Sequence, residues 1–204
     1  MNLCVLDDFL TDDWAIEVRN SLLSARYALF DYTVHPNERK QFSGNLTGKI
    51  DESPLFVYPI MYKNEPPPNE SLSYIPYLFA GAIAAKTGMK TSGILRFKAN
   101  INLPSTGGVQ DTFYSPHVDN PEYLGQEDTV TALYYVDDSS GDTLFFNSDQ
   151  ENNLVEAYRV SPKKNRLVYF DGAILHAGSP PLSGVRAVLN MDFLATFKQP
   201  KNEV

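Results

Sequence analysis

His117, Asp119 and His176, with Arg186 ten residues beyond the second histidine, are the side chains of this 204-residue chain whose types and spacing could do chemistry. Two neutral imidazoles and one carboxylate suit iron, copper, nickel or zinc, and three such ligands on one face of an octahedron leave three positions open. Open positions point to catalysis. Arg186 begins an apolar segment, and a guanidinium buried there needs an anion, because an unpaired buried charge is very costly. The set reads as a metal site built to hold an acidic co-substrate.

Extended backbone has to supply the geometry. Residues two apart on a strand share a face, so His117 and Asp119 are expected to point the same way from a strand over 113–119. Pro116 biases Ser115 to an extended conformation, and Asn120-Pro121 is a turn signal that closes the run. The second imidazole is delivered by the mostly apolar stretch from Arg166 to Ala177, which ends in Gly178-Ser179-Pro180. After the turn Pro180-Pro181-Leu182-Ser183-Gly184 a last strand starts, on which Arg186, Val188 and Asn190 share one face.

Around these residues the sequence divides into a helical and irregular part, 1–90, a strand-rich core, 91–196, and a polar tail, 197–204, which together make one domain. Thr11 is an N-cap for a helix over about 12–26, with Asp12 and Asp13 where the helix dipole favours them. Trp14, Ile16, Val18, Leu22 and Leu23 form its approximate apolar stripe. A second helix is expected from about Asn69 or Ser71 to Thr87, closed by Gly88. Eight strands follow, at about 94–101, 113–119, 129–136, 142–147, 153–160, 166–170, 173–177 and 185–195. Short strands separated by turn clusters such as Asp137-Asp138-Ser139-Ser140-Gly141 indicate a sandwich or barrel.

On the His-x-Asp pair, the distal histidine and the arginine that follows it, the chain resembles the iron(II)- and 2-oxoglutarate-dependent dioxygenases, and within them the prolyl 4-hydroxylase-like branch. The resemblance runs from about Ile94 to Phe193. Gly141-Asp142-Thr143-Leu144-Phe145-Phe146 has the family's texture, and Val5 to Leu10 looks like the strand that precedes its first helix. The resemblance implies a mainly β fold with flanking helices, a double-stranded β-helix of the jelly-roll, cupin-like kind, which eight strands fit. It implies that His117, Asp119 and His176 ligate iron(II). Arg186 would then grip the distal carboxylate of 2-oxoglutarate, a bidentate match that guanidinium geometry favours. Oxygen would take the last open site, and a C–H bond of the substrate would be hydroxylated as 2-oxoglutarate becomes succinate. Relatives place an Asn or Tyr upstream of the His-x-Asp pair against the keto acid. Asn100 and Asn102 match by position, with Asn102 the candidate. Tyr134 and Tyr135 lie on the strand after the metal pair, where alternation sends one inward, and Tyr134 is the expected co-substrate neighbour.

Composition restricts the partners. A net charge of −8 and a pI near 4.8 repel nucleic-acid phosphates. The longest apolar stretch, Tyr77 to Ala85, is too short to cross a bilayer. One cysteine, Cys4, and a start without a basic region followed by an apolar one fit a reducing, cytoplasmic setting. Peptide or small-molecule substrates remain. A prolyl or other side chain in a peptide is the first expectation, with a free amino acid or small metabolite as the alternative. Segments 39–49 and 122–128 are candidate lids, and His35 reads as an exposed turn residue. A zinc hydrolase and a non-catalytic cupin-like metal- or anion-binding module are the readings from other classes.

Overall fold

The stretches poorest in charge become the central strands, because both of their faces are covered. In a computed structural model the described residues are 1–24, 49–50, 55–63, 65, 72–104, 112–125, 128–149 and 153–200. The strands are β1 (Leu3–Leu6), β2 (Lys49–Ile50), β3 (Leu55–Tyr62), β4 (Gly93–Asn102), β5 (Thr112–Phe113), β6 (Thr129–Tyr135), β7 (Thr143–Ser148), β8 (Leu154–Val160), β9 (Arg166–Asp171), β10 (His176–Gly178) and β11 (Arg186–Leu194). The helices are α1 (Asp12–Ser24) and α2 (Tyr74–Thr87). A six-stranded antiparallel sheet runs β1-β9-β6-β11-β4-β3, a three-stranded sheet runs β10-β7-β8, and β2 pairs with β5 in parallel. This is the mainly β architecture with flanking helices that was expected.

Alternation along the large sheet sorts its side chains into two layers. Phe97, Ala132, Tyr134, Leu189 and Met191 face the helices and share a buried core with Val18 and Leu22 of α1 and Ile75, Phe79 and Ile83 of α2. Leu133, Tyr135, Val168, Phe170 and Val188 face the other way and pack with Phe145 and Val160 of the smaller sheet. Gly88 ends α2 in the left-handed region, φ 72°, and its N–H closes on the Ala84 carbonyl at 2.8 Å, as its position after Thr87 predicts.

Three expectations are corrected. The first part of the chain, read as helical and irregular, supplies β1 and β3 to the large sheet. Pro59 hides β3, since proline argues against a central strand; β3 is an edge strand, where a missing N–H is tolerated. The buried stripe of α1 is Ala15, Val18 and Leu22, whereas Trp14, Ile16 and Leu23 are exposed. Residues 114–119 do not form a strand; only His117 makes a bridge, to His176. His35, residues 39–48 of the first candidate lid and Gln126 and Glu127 of the second lie outside the described residues. Among the described residues no helix is long and apolar enough to cross a membrane.

Candidate active site

The two imidazoles are brought together by backbone. His117 and His176 exchange N–H to carbonyl hydrogen bonds at 3.0 Å each, and their rings lie 4.8 Å apart. In both residues Nδ1 donates to the carbonyl two positions upstream, Ser115 at 2.9 Å and Ile174 at 3.1 Å. A carbonyl can only accept, so the proton sits on Nδ1 and each Nε2 keeps its lone pair. Those Nε2 atoms lie 3.7 Å and 3.3 Å from the Asp119 carboxylate. One ligand atom from each of the three residues falls within 4.8 Å of the others. Burial and the neighbouring His176 push the His117 imidazole down to about 4, which favours the neutral, ligating form. This donor set fits a borderline divalent metal ion such as iron(II), with tied outer nitrogens of the kind that orient ligating histidines.

Asp119 is held from the floor of the large sheet. Arg96 on β4 donates through Nη2 to one carboxylate oxygen, and Asn190 on β11 donates to the other at 3.1 Å. Arg96 also donates through Nε to Asp192 at 2.9 Å, and Thr131 on β6 donates to the second Asp192 oxygen at 2.8 Å. Strand register explains the set, since Asp192 stands opposite Arg96 on one side and Thr131 on the other. Burial alone would raise the Asp119 pKa, but the Arg96 guanidinium holds it well below the usual carboxylate range. Asp192, fully buried and close to Asp119, is pushed up to about 6. The shared guanidinium thus keeps the ligand carboxylate ionised and aimed.

Arg186 lies at the other end of β11 and is 5% exposed. Nε donates to the Gly141 carbonyl at 2.7 Å, Nη1 to Asn102 at 3.2 Å and Nη2 to Thr143 at 2.9 Å. A guanidinium has five N–H groups, so these three bonds, with the Tyr135 hydroxyl also in reach, leave at least one N–H open to a carboxylate among the described residues. Burial works against its charge and lowers its pKa. Gly141, at φ 100°, has no room for a side chain, since a Cβ there would meet Ser179 O at 2.7 Å.

The expected residues separate at this point. His117, Asp119 and His176 are together, and Asn102, 2% exposed, stands opposite Arg186 and accepts from it. Tyr134 is not there: it faces the helices, with its ring 4.9 Å from Phe79 and its hydroxyl donating to Asn165 at 3.2 Å. Tyr135 is the inward member, with its ring 5.7 Å from Arg186 and its hydroxyl donating to Thr143 at 2.7 Å. β6 is buried on both faces, so it carries no polar alternation from which to read the phase. The Arg96–Asp192 support was also missed; its only sequence signal is a charged residue on each of two strands that carry other polar residues as well.

Known proteins resemble the chain in its second half by sequence and over nearly all of it by fold. The sequence profile of the 2OG-Fe(II) oxygenase superfamily matches residues 105–193, which hold the triad and Arg186. Over that stretch the chain is similar to the 2OG-Fe(II) oxygenase superfamily. A search of curated proteins finds no sequence match. Among solved structures the fold resembles a prolyl-4-hydroxylase of Pseudomonas putida, with 18% identity, a TM-score of 0.56, and 95% of this chain and 92% of that one covered. It also resembles a Trichoplax adhaerens prolyl hydroxylase in complex with a hypoxia-inducible factor peptide fragment, with 18% identity, a TM-score of 0.57 and coverage of 95% and 83%. A 2OG-Fe(II) oxygenase family oxidoreductase of Burkholderia pseudomallei superposes with a TM-score of 0.61 at 11% identity, covering 98% and 89%. These likenesses show the double-stranded β-helix fold. The profile match and the His117-Asp119-His176 group together support a 2-oxoglutarate-dependent iron(II) dioxygenase that uses O2 to hydroxylate a C–H bond of a peptide or small-molecule substrate.

Proposed function

We propose that His117, Asp119 and His176 hold the iron, that Arg186, with Asn102 and Tyr135 beside it, holds the distal carboxylate of 2-oxoglutarate, and that the substrate is a prolyl or other residue within a peptide. The observation that carries the reading is the pairing of three converging ligand atoms with a buried arginine that no carboxylate of the described residues neutralises. Bound iron and keto acid would supply the oxidising chemistry, as cofactors do. The chain's own residues bind and orient: the Ser115 and Ile174 carbonyls fix the imidazole tautomers, Arg96 and Asn190 fix the carboxylate, and the apolar layer of Leu133, Phe145, Phe170 and Val188 keeps water from the inner face. A hydrolase would need a separate general base beside the metal. Asp192 is the other carboxylate at hand, and both of its oxygens are taken by Arg96 and Thr131.

The peptide class draws support from two solved relatives of this fold being named prolyl hydroxylases, one of them holding a peptide. A reducing, cytoplasmic compartment suits both ferrous iron and the lone Cys4. The test is turnover with iron(II), 2-oxoglutarate and oxygen. Proline-containing peptides should raise succinate formation well above the uncoupled background, with a gain of one oxygen on the peptide by mass spectrometry. Stimulation by free proline or another small acid, with peptides inert, would overturn the peptide reading and keep the dioxygenase one.

A further inference from the structure

β4 alternates Arg96, Lys98, Asn100 and Asn102 on its inner face with Phe97 and Ala99, which are buried in the core on the helix side. Arg96 and Asn102 are engaged as described. Lys98 is not: among the described residues its ammonium makes no hydrogen bond and no ion pair. It stands opposite Asn190 in the β4–β11 ladder, and the charges it senses are those of Arg96, Asp119 and Asp192. Nearby, the Oδ1 atoms of Asn100 and Asn190 are buried with no partner among the described residues. A half-buried cation without an anion of its own is costly to keep.

Its place in the ladder indicates what it is for. Arg186 and Asn102 face each other at one end, and Lys98 and Asn190 face each other four residues along, about 13 Å away by strand geometry, with Asn190 touching Asp119. The inner face therefore presents two cations with unused N–H groups, one at the metal end and one at the far end. A dicarboxylate whose keto acid end meets the metal matches that spacing in kind. We infer that Lys98 is a carboxylate-binding residue at the metal end of the site, and that the carboxylate adjacent to the keto group of 2-oxoglutarate is the one it holds. Lys98 and Arg186 then grip opposite ends of one molecule. The inference rests on the roles proposed for the triad and Arg186. A carboxylate on the substrate is the other source of the same chemistry.

Calorimetric titration of the zinc(II)-substituted protein, which binds without turnover, separates these cases. The probes are 2-oxoglutarate and pyruvate, which lacks the distal carboxylate. Lys98→Met should weaken both by about tenfold or more, as loss of a charge-assisted bond predicts, and Lys98→Arg should recover most of the affinity. Arg186→Ala should weaken 2-oxoglutarate and spare pyruvate. Lys98→Met should unfold at the same or a higher temperature, because it removes an unpaired charge and keeps the side-chain length. If Lys98→Met leaves both keto acids unchanged, free proline and prolinamide are titrated into the 2-oxoglutarate-saturated protein. A preference for proline that Lys98→Met abolishes assigns the carboxylate to the substrate. Unchanged keto-acid affinity without such a preference overturns the inference. A wild-type zinc protein that binds no 2-oxoglutarate fails the underlying reading instead.

Discussion

His176→Ala abolishes 2-oxoglutarate-dependent oxygen uptake, and His117→Ala and Asp119→Ala do the same, while each variant keeps its β-rich fold. The loss is total because each residue supplies one of three ligand atoms gathered within 4.8 Å, and the other carboxylate nearby, Asp192, has both oxygens taken by Arg96 and Thr131. The fold survives because the main core lies on the helix side of the large sheet, around Phe79, Phe97 and Tyr134. Asp119→Ala is the harshest of the three, since it leaves Asn190 without its acceptor and Arg96 with Asp192 alone. Oxygen-electrode traces and far-ultraviolet circular dichroism on the same preparations check both halves. Any one variant that turns over like the wild type removes that residue from the ligand set.

Arg186→Ala raises the 2-oxoglutarate concentration needed for half-maximal activity by roughly tenfold or more, because a charge-assisted bidentate contact in a sheltered site is worth about 1.5–3 kcal/mol. Iron(II) affinity measured without co-substrate barely changes, as Arg186 touches Gly141, Asn102 and Thr143 and no ligand of the triad. Some stability is lost as well, because those acceptors lose their donor. The two other inward or nearby arginines cannot substitute without breaking existing pairs: Arg166 is bound to Asp7 at 2.6 Å, and Arg96 bridges Asp119 and Asp192. An unchanged co-substrate requirement would move the clamp to one of them.

The parts of the site legible in the sequence were those where residue type alone restricts chemistry. His117, Asp119, His176 and Arg186 are scarce or costly groups at strand and turn boundaries, and few structural uses compete for such a set. What could not be read was phase and partnership. Tyr134 and Tyr135 are neighbours on a strand whose two faces are equally buried, so alternation gives two answers and only the packing of Phe79 against Tyr134 selects one. The phase of α1 failed similarly, with small Ala15 buried and large Trp14 left outside against Tyr74. Arg96 and Asp192 are far apart in the chain and meet only through the β4–β11 pairing, so no local pattern announces their joint grip on Asp119. The strand count of the core was readable from its turns, whereas β3 was concealed by Pro59 at an edge.

The most direct test of the central assignment is an anaerobic absorption spectrum. Iron(II) and 2-oxoglutarate added together to the wild-type protein should produce the weak visible charge-transfer band of a keto acid chelated to iron. That band should be absent with iron(II) alone, with zinc(II) and 2-oxoglutarate, and in His176→Ala. No band with both components present, in protein shown to bind the metal, would contradict the account.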